Sequence, residues 1–121
     1  MESKNEEILN QGWIYKRSRH LKKWRKRWMV LTPKCLMTFK TENMKGRTER
    51  ILLQECATIK SVDEDLKIPM TFRIDGRGTS FYFRAEDMSS KESWIGSIGK
   101  NMIKPGVLRS YSEEEALNGG N

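Results

Sequence analysis

The chain has 121 residues, a hydrophobic content of 36% and a formal net charge of +7 at pH 7, which suits one domain with one core. Its 23 Lys and Arg against 16 Asp and Glu favour an anionic partner such as acidic lipid, nucleic acid or acidic protein. Cys35 and Cys56 lack CxxC spacing and an accompanying His cluster, so we expect no disulfide framework, no metal site and a reducing compartment.

The first ten residues are polar and acidic and predict a lead-in before the fold. They lack the basic and apolar regions of a signal peptide, and Glu2 does not match a myristoylation start. No segment approaches the apolar length of a membrane span. We therefore expect a cytoplasmic protein whose membrane contact is peripheral.

A basic hairpin follows the lead-in. Residues 12–17 predict a first strand, 18–23 a loop and 24–32 a second strand that ends at Pro33, because proline lacks the amide that a sheet needs. Residues 16–27 hold eight Lys or Arg and no acid, which leaves 15 basic and 16 acidic residues elsewhere. Almost all the excess charge therefore lies in this hairpin.

Five more short strands are predicted after the hairpin, at 35–40, 50–54, 58–62, 70–75 and 80–84. Residues 41–47 and the acidic residues 63–65 are predicted as loops. Gly76-Arg77-Gly78 lies between two alternating runs and indicates a tight hairpin turn, with these side chains facing inward: Phe72, Ile74, Phe81 and Phe83. Seven closely spaced strands are typical of a barrel or a sandwich.

One helix follows the strands. Ser89 to Glu92 form a capping-box pattern, and Trp94, Ile98 and Met102 recur at helical spacing on one face. Lys91 is expected on the solvated face, and Pro105 with Gly106 should end the helix. The prediction is an α+β, mainly β fold in which the helix caps the sheet, followed by a disordered tail over 105–121.

The alternation of β-strands gives the basic hairpin a chemistry. Arg25 and Arg27 share a face with Met29 and Leu31, so the row would begin at a wet rim and continue into the core. Lys16 shares a face with Ile14 and would project into the same opening. Such a cluster suits several phosphates, but spacing alone allows equally that these cations pair with acids of the loops.

The chain resembles the pleckstrin-homology family over about residues 11–104, with 1–10 as the lead-in. The segments that carry this similarity are 12–16 (GWIYK), 24–31 (WRKRWMVL) and Trp94. The spacing of seven residues between Lys16 and Trp24 matches members that bind 3-phosphorylated phosphoinositides, and the chain is most similar to cytohesin-type and dual-adaptor-type domains. The resemblance implies a seven-stranded, bent antiparallel barrel capped by a helix, with a basic mouth formed by inter-strand loops.

The resemblance also implies a function and a site. It predicts a peripheral membrane module of signal transduction that needs no cofactor and binds phosphoinositide lipids, such as phosphatidylinositol 3,4,5-trisphosphate or 3,4-bisphosphate, or soluble inositol polyphosphates. Its headgroup-binding positions correspond to Lys16, Arg25 and Arg27, and its hydrophobic tip, which would enter the membrane, to Leu21. Further candidates for phosphate contacts are Arg19, Lys22, Lys23, Thr38, Lys45, Arg47 and Arg77.

Other functions fit these residues less well. Trp13, Trp24 and Trp28 flank the basic run, as on a surface that stacks single-stranded nucleic acid, although packing is the commoner role of such residues in a small barrel. Barrels of this kind also bind peptides or small GTPases, usually through an apolar groove. An enzyme is disfavoured because the single His and the lack of nucleophile, metal-ligand or phosphate-loop motifs leave no candidate catalytic residue. Ser110 and Ser112, before three Glu residues, resemble an acidophilic kinase site.

Overall fold

The computed structural model describes residues 7–18 and 20–102. Arg19, Pro105, Ser110, Ser112, most of the lead-in and the predicted tail lie outside the described residues. The described part contains a short 3₁₀ turn (Leu53–Glu55), a one-turn helix α1 (Asp63–Leu66) and a long helix α2 (Met88–Met102). Its strands are β1 (Asn10–Arg17), β2 (Trp24–Leu31), β3 (Cys35–Phe39), β4 (Arg47–Leu52), β5 (Thr58–Ser61), β6 (Thr71–Asp75) and β7 (Ser80–Arg84).

The strands form one antiparallel sheet in the order β4-β3-β2-β1-β7-β6-β5. β1 lies in the middle and pairs with β2 along its whole length, from Asn10 opposite Leu31 to Arg17 opposite Trp24. On its other side β1 pairs with β7 through Tyr15 and Lys16. The predicted fold class, a mainly β structure of seven antiparallel strands with a C-terminal helix, is confirmed.

The core lies on the inner face of this sheet. The alternation of apolar residues along the strands, which is the property that makes a strand two-faced, places these side chains in one cluster: Ile14, Met29, Leu31, Leu36, Ile51, Leu53, Cys56, Phe72, Ile74, Phe83, Trp94 and Ile98. Phe72 and Phe83 stack with ring centroids 5.3 Å apart. The four inward positions predicted for β6 and β7 are confirmed, with Phe81 partly buried against the cluster.

The predicted hairpin turn between β6 and β7 is also confirmed. The Gly76 amide donates to the Thr79 carbonyl at 2.8 Å. Gly78 has a φ of +67°, a conformation that glycine adopts without the steric penalty of a side chain.

Helix α2 packs its Trp94 and Ile98 into the core, and Met102 contacts the same cluster. The predicted apolar face is therefore correct, but the predicted capping box is not. The helix begins at Met88, and the Asp87 carboxylate accepts a hydrogen bond from the Ser90 amide at 2.7 Å. Asp87 thus caps the first turn, because its short side chain reaches back to an amide that has no partner within the helix.

Two further expectations are wrong, and the residues concerned meet in the structure. Residues 63–65 form part of α1 and not a loop, and Lys91 is buried with 5% exposure. The Lys91 ammonium lies 2.9 Å from Asp63 Oδ1 and 2.7 Å from Ser61 Oγ. Lys91 therefore faces the β5–β6 connection, because a carboxylate there satisfies its charge.

Asp63 in turn organises the start of β6. Its Oδ2 accepts from the Met70 amide at 3.1 Å and its Oδ1 from the Thr71 amide at 2.9 Å. Partial burial alone would raise the pKa of the Asp63 carboxyl, but the Lys91 ammonium and these two amides outweigh burial and hold that pKa well below its ordinary value. Asp63 is accordingly ionised in the folded protein at neutral pH.

Candidate functional site

Three cations predicted for the site converge at one end of the β1–β2 hairpin. Lys16 pairs directly across the strands with Arg25, and Arg27 lies one step further along the same face. All three line a cavity of about 420 Å³, within the range of about 300 to 1,000 Å³ that small-molecule pockets occupy. We call this cavity the basic mouth; its lining residues are Lys16, Ser18, His20, Arg25, Arg27 and Thr48.

Strand alternation explains why the mouth is charged at its rim and apolar beneath. Ile14 precedes Lys16 on the inner face of β1, and Met29 and Leu31 follow Arg27 on that of β2, all three with no exposed surface. Arg25 is exposed and Arg27 is partly buried. Arg27 Nη1 donates to the Lys26 carbonyl at 2.9 Å, which turns part of its guanidinium back toward the hairpin.

Hydroxyl groups also border the mouth. Thr38 is fully buried, and its hydroxyl lies 2.7 Å from that of Thr48, which lines the mouth. A register shift between Thr38 and Phe39 in the β3–β4 ladder brings Thr48 to this position. Thr38, a sequence candidate for phosphate contact, thus lies beneath the surface, and Thr48 occupies the accessible position.

A carboxylate that the sequence reasoning missed lies beside the mouth. Lys16 Nζ is 3.1 Å from Glu49 Oε1, and their side chains are only 11% and 14% exposed. Glu49 belongs to β4, which begins at Arg47 and not at residue 50 as predicted. It is two residues before the core residue Ile51, so an earlier strand start would have indicated that Glu49 faces inward.

The two arginines differ from Lys16 in this respect. Within residues 7–18 and 20–102, neither Arg25 nor Arg27 forms an ion pair. Of these three cations, Lys16 alone therefore pairs with an acid in the described residues, as the alternative reading of the spacing had allowed for all three. Arg25 is exposed at the mouth, whereas Arg27 is partly buried there and uses one of its forked donors on the Lys26 carbonyl.

The β1–β2 loop is held closed by Ser18. The Ser18 amide donates to the Lys23 carbonyl at 2.8 Å, and the Lys23 amide donates to Ser18 Oγ at 3.1 Å. Leu21 lies at the tip of this loop and is 62% exposed. An apolar side chain thus projects from a loop whose neighbours are basic.

The other basic candidates that the structure describes do not gather at the mouth. Lys22 lines a second cavity of about 310 Å³ on the outer face of the hairpin, together with Arg17 and Tyr82. Arg77 lines a separate cleft beside β4. Lys23, Lys45 and Arg47 are exposed and line neither cavity.

The tryptophans of the hairpin lie on the face opposite the mouth. Trp13 and Trp28 are cross-strand partners and meet edge to face, with centroids 5.2 Å apart and planes at 77°. Lys26 lies over the Trp13 ring, 5.0 Å from its centroid. These rings pack on each other and are separated by the sheet from Arg25 and Arg27, so the tryptophans do not lie among the cations of the mouth.

Two features are absent from the described ranges. No group of three or more His, Cys, Asp or Glu side chains there is placed to hold a metal ion. No helix between residues 7 and 102 has the length and apolarity required to cross a membrane.

Comparison with known proteins gives consistent matches. The family described as "PH domain" matches residues 8–102. The chain is 32% identical over 111 residues to Pleckstrin homology domain-containing protein 1 of Arabidopsis thaliana, covering 88% of this chain and 75% of the relative. It is 30% identical over 99 residues to Pleckstrin homology domain-containing family A member 6 of Mus musculus, covering 79% of this chain but only 8% of that protein.

A solved structure is similar over most of the fold. The Slm1-PH domain in complex with D-myo-inositol-4-phosphate has a TM-score of 0.64 and 26% sequence identity, with 77% of this chain and 95% of that chain covered. The C-terminal PH domain of pleckstrin in complex with D-myo-Ins(1,2,3,4,5)P5, at 22% identity, has a TM-score of 0.67 over 78% of this chain and 98% of that one, which is a likeness of fold.

Proposed function

Since the chain belongs to the PH domain family, we propose that it is a non-catalytic module that binds phosphoinositide headgroups in the basic mouth and thereby attaches to an acidic membrane surface. Members of this family commonly bind phosphoinositides or inositol phosphates. The observation that carries the proposal is the convergence of Lys16, Arg25 and Arg27 on one cavity. Soluble inositol polyphosphates would occupy the same cavity as analogues of the lipid headgroup.

Charge and size support this ligand class. Guanidinium groups offer parallel donors that match phosphate oxygens, and a lysine can bridge adjacent phosphates as a mobile charge. Because Arg25 and Arg27 are two residues apart on one strand, their Cα atoms are separated by about 6.6 Å. That spacing suits two phosphates on one inositol ring more than a single phosphate.

A preference for 3-phosphorylated lipids is the finer part of the proposal. It rests on the length of the β1–β2 loop and on the resemblance to cytohesin-type and dual-adaptor-type domains. The inner face of the plasma membrane is the expected site of recruitment, since that surface carries such lipids and an overall negative potential. The proposal concerns this domain alone, because several relatives are much longer than the chain.

Vesicle binding and calorimetry test the proposal together. Wild-type protein should sediment with phosphatidylcholine vesicles that contain phosphatidylinositol 3,4,5-trisphosphate and should remain unbound with pure phosphatidylcholine. Binding should weaken as salt rises, because charges near the surface are screened. Arg25→Ala and Arg27→Ala should each lower affinity for inositol 1,3,4,5-tetrakisphosphate about 30- to 1,000-fold, while melting temperatures stay within about 3 °C of wild type because both residues lie outside the core.

Two control variants make the result specific. Lys34→Ala removes an exposed charge at the β2–β3 turn, the end of the hairpin opposite the mouth, and should leave binding unchanged. Arg17→Ala removes a cation of the outer cavity. If Arg17→Ala abolishes binding and Arg25→Ala does not, the ligand occupies the outer cavity; if Lys34→Ala weakens binding equally, overall charge is responsible.

Competition separates the headgroup from other partners. Soluble inositol polyphosphate should displace the domain from vesicles, and a single-stranded oligonucleotide of equal charge should not. Equal displacement by the oligonucleotide would contradict the proposal and favour nonspecific anion binding.

A further inference from the structure

One acidic side chain lies among the cations of the basic mouth. Glu49 Oε1 is 3.1 Å from Lys16 Nζ, and both side chains are nearly enclosed, at 14% and 11% exposure. An ion pair so shielded from water is screened less than a surface pair. The carboxylate therefore already occupies the lysine that a phosphate would need.

The backbone fixes Glu49 in this position. Glu49 is in β4 opposite Thr38 of β3, next to the register shift between Thr38 and Phe39. The adjacent Thr48 hydroxyl contacts both the hydroxyl and the carbonyl of Thr38, which anchors this part of β4. The backbone at Glu49 therefore belongs to the sheet and does not move away with a mobile loop when a ligand enters.

We propose that Glu49 is an internal competitor that determines the affinity and selectivity of the basic mouth. In the empty mouth its carboxylate neutralises Lys16, and an entering phosphate must share or take over that lysine beside a fixed like charge. The Glu49 carboxylate repels the negative charge of an entering phosphate and so weakens its binding. A headgroup therefore binds well only if its other phosphates bind Arg25 and Arg27 strongly enough to offset this repulsion.

This inference rests on the proposed function and makes a prediction of definite sign. Glu49→Gln keeps the shape of the side chain and its hydrogen-bonding capacity but removes the charge. Affinity for inositol 1,3,4,5-tetrakisphosphate, measured by calorimetry, should rise about tenfold, equivalent to about 1.4 kcal/mol. If instead Glu49 served mainly to orient Lys16 for the ligand, the same substitution would lower affinity.

The control is Glu92→Gln, which makes the same change in net charge at an exposed position of α2. Glu92 neighbours Ser93, whose hydroxyl contacts Asn10 at the start of β1, and Lys16 is near the other end of that strand. Its effect on affinity should stay within about twofold, since charges this far apart are screened at physiological salt. Melting curves of both variants establish that they are folded.

The outcomes distinguish this inference from the proposed function. The inference is supported if the affinity rises for Glu49→Gln and not for Glu92→Gln. The case in which Glu49→Gln binds measurably and wild type does not counts as such a rise. If wild type binds and Glu49→Gln binds with equal or lower affinity, the inference is overturned and the proposed function stands. If neither protein binds the tetrakisphosphate, both are overturned.

Discussion

The contact between Asp63 and Lys91 is predicted to be a major source of stability, and Asp63→Asn is the substitution that tests it. The substitution removes the negative charge that faces the Lys91 ammonium at 2.9 Å and puts an NH₂ group in place of one carboxylate oxygen. Lys91 keeps its bond to Ser61, but its charge stays buried with only 6% of the side chain exposed. One of the amides of Met70 and Thr71 would also meet a donor where it now meets an acceptor.

The magnitude follows from these contacts. Removing one partner of a buried ion pair costs about 3 to 5 kcal/mol, and Asp63 is 26% exposed, which reduces that figure by solvent screening. We expect Asp63→Asn to lower the free energy of unfolding by about 2 to 4 kcal/mol. For a domain near 100 residues, this corresponds to a melting temperature lower by about 10 to 25 °C.

Acid should remove the same contribution. The folded pKa of Asp63 lies below its unfolded value, so the contribution is fully present above the unfolded pKa of about 3.9 and is lost as pH falls toward the folded pKa. Wild type and Asp63→Asn should therefore differ most at neutral pH, and the difference should shrink progressively as pH falls below about 3.9.

Urea denaturation followed by tryptophan fluorescence measures the effect, because Trp94 of α2 is buried in the core. Asp65→Asn, an exposed carboxylate of the same short helix, is the matched control and should change stability by less than about 0.5 kcal/mol. Lys91→Met should cost less than Asp63→Asn, since Asp63 keeps its two amide donors. The reasoning is refuted if Asp63→Asn and Asp65→Asn have equal effects at pH 7, or if the loss persists undiminished at pH 3.

Two further predictions concern the loops. Leu21→Glu should weaken binding to phosphoinositide vesicles about tenfold, because burying a leucine in the interface contributes to attachment, while calorimetry should show soluble headgroup binding nearly intact; an equal loss in both assays would mean that Leu21 supports the loop. Gly78→Ala should destabilise the fold by about 1 kcal/mol, because φ is +67° there and no atom lies within 4 Å of an added Cβ. Gly76→Ala, whose Cβ would make only an ordinary contact at 3.5 Å with the Glu55 carbonyl, should cost less in the same melt, and the reverse order would contradict the backbone argument.

Much of the fold could be predicted because its signals are local. Alternating apolar residues determine which face of a strand is buried, and this predicted the inward positions of Phe72, Ile74 and Phe83. Helical spacing likewise identified Trp94 and Ile98. The alternation of side chains along β1 and β2 also predicted that Lys16, Arg25 and Arg27 share a face. The structure brings them to one cavity.

The errors arose where a residue's partner is distant in the chain or where a local pattern does not resolve the side-chain geometry. Lys91 was expected in solvent because lysine is rarely buried without an ionic partner, and its partner Asp63 is 28 positions away in sequence. Asp87 replaced Ser89 as the helix cap through a side-chain geometry that the capping pattern does not distinguish. The early start of β4 placed Glu49 in a strand, where sequence offered only a polar run.

The sequence by itself determined the order of the strands along the chain, the apolar face of each element and the concentration of positive charge in one hairpin, since each depends on the identity and spacing of neighbouring residues. Only the tertiary structure decided which charges meet: it buried Lys91 against Asp63, joined Lys16 to Glu49, and left Arg25 and Arg27 without an acidic partner in the part of the chain that it describes. The physical reason is that an ion pair depends on a separation of a few ångströms. That separation is set by how the sheet curves, and no local pattern in the chain specifies it.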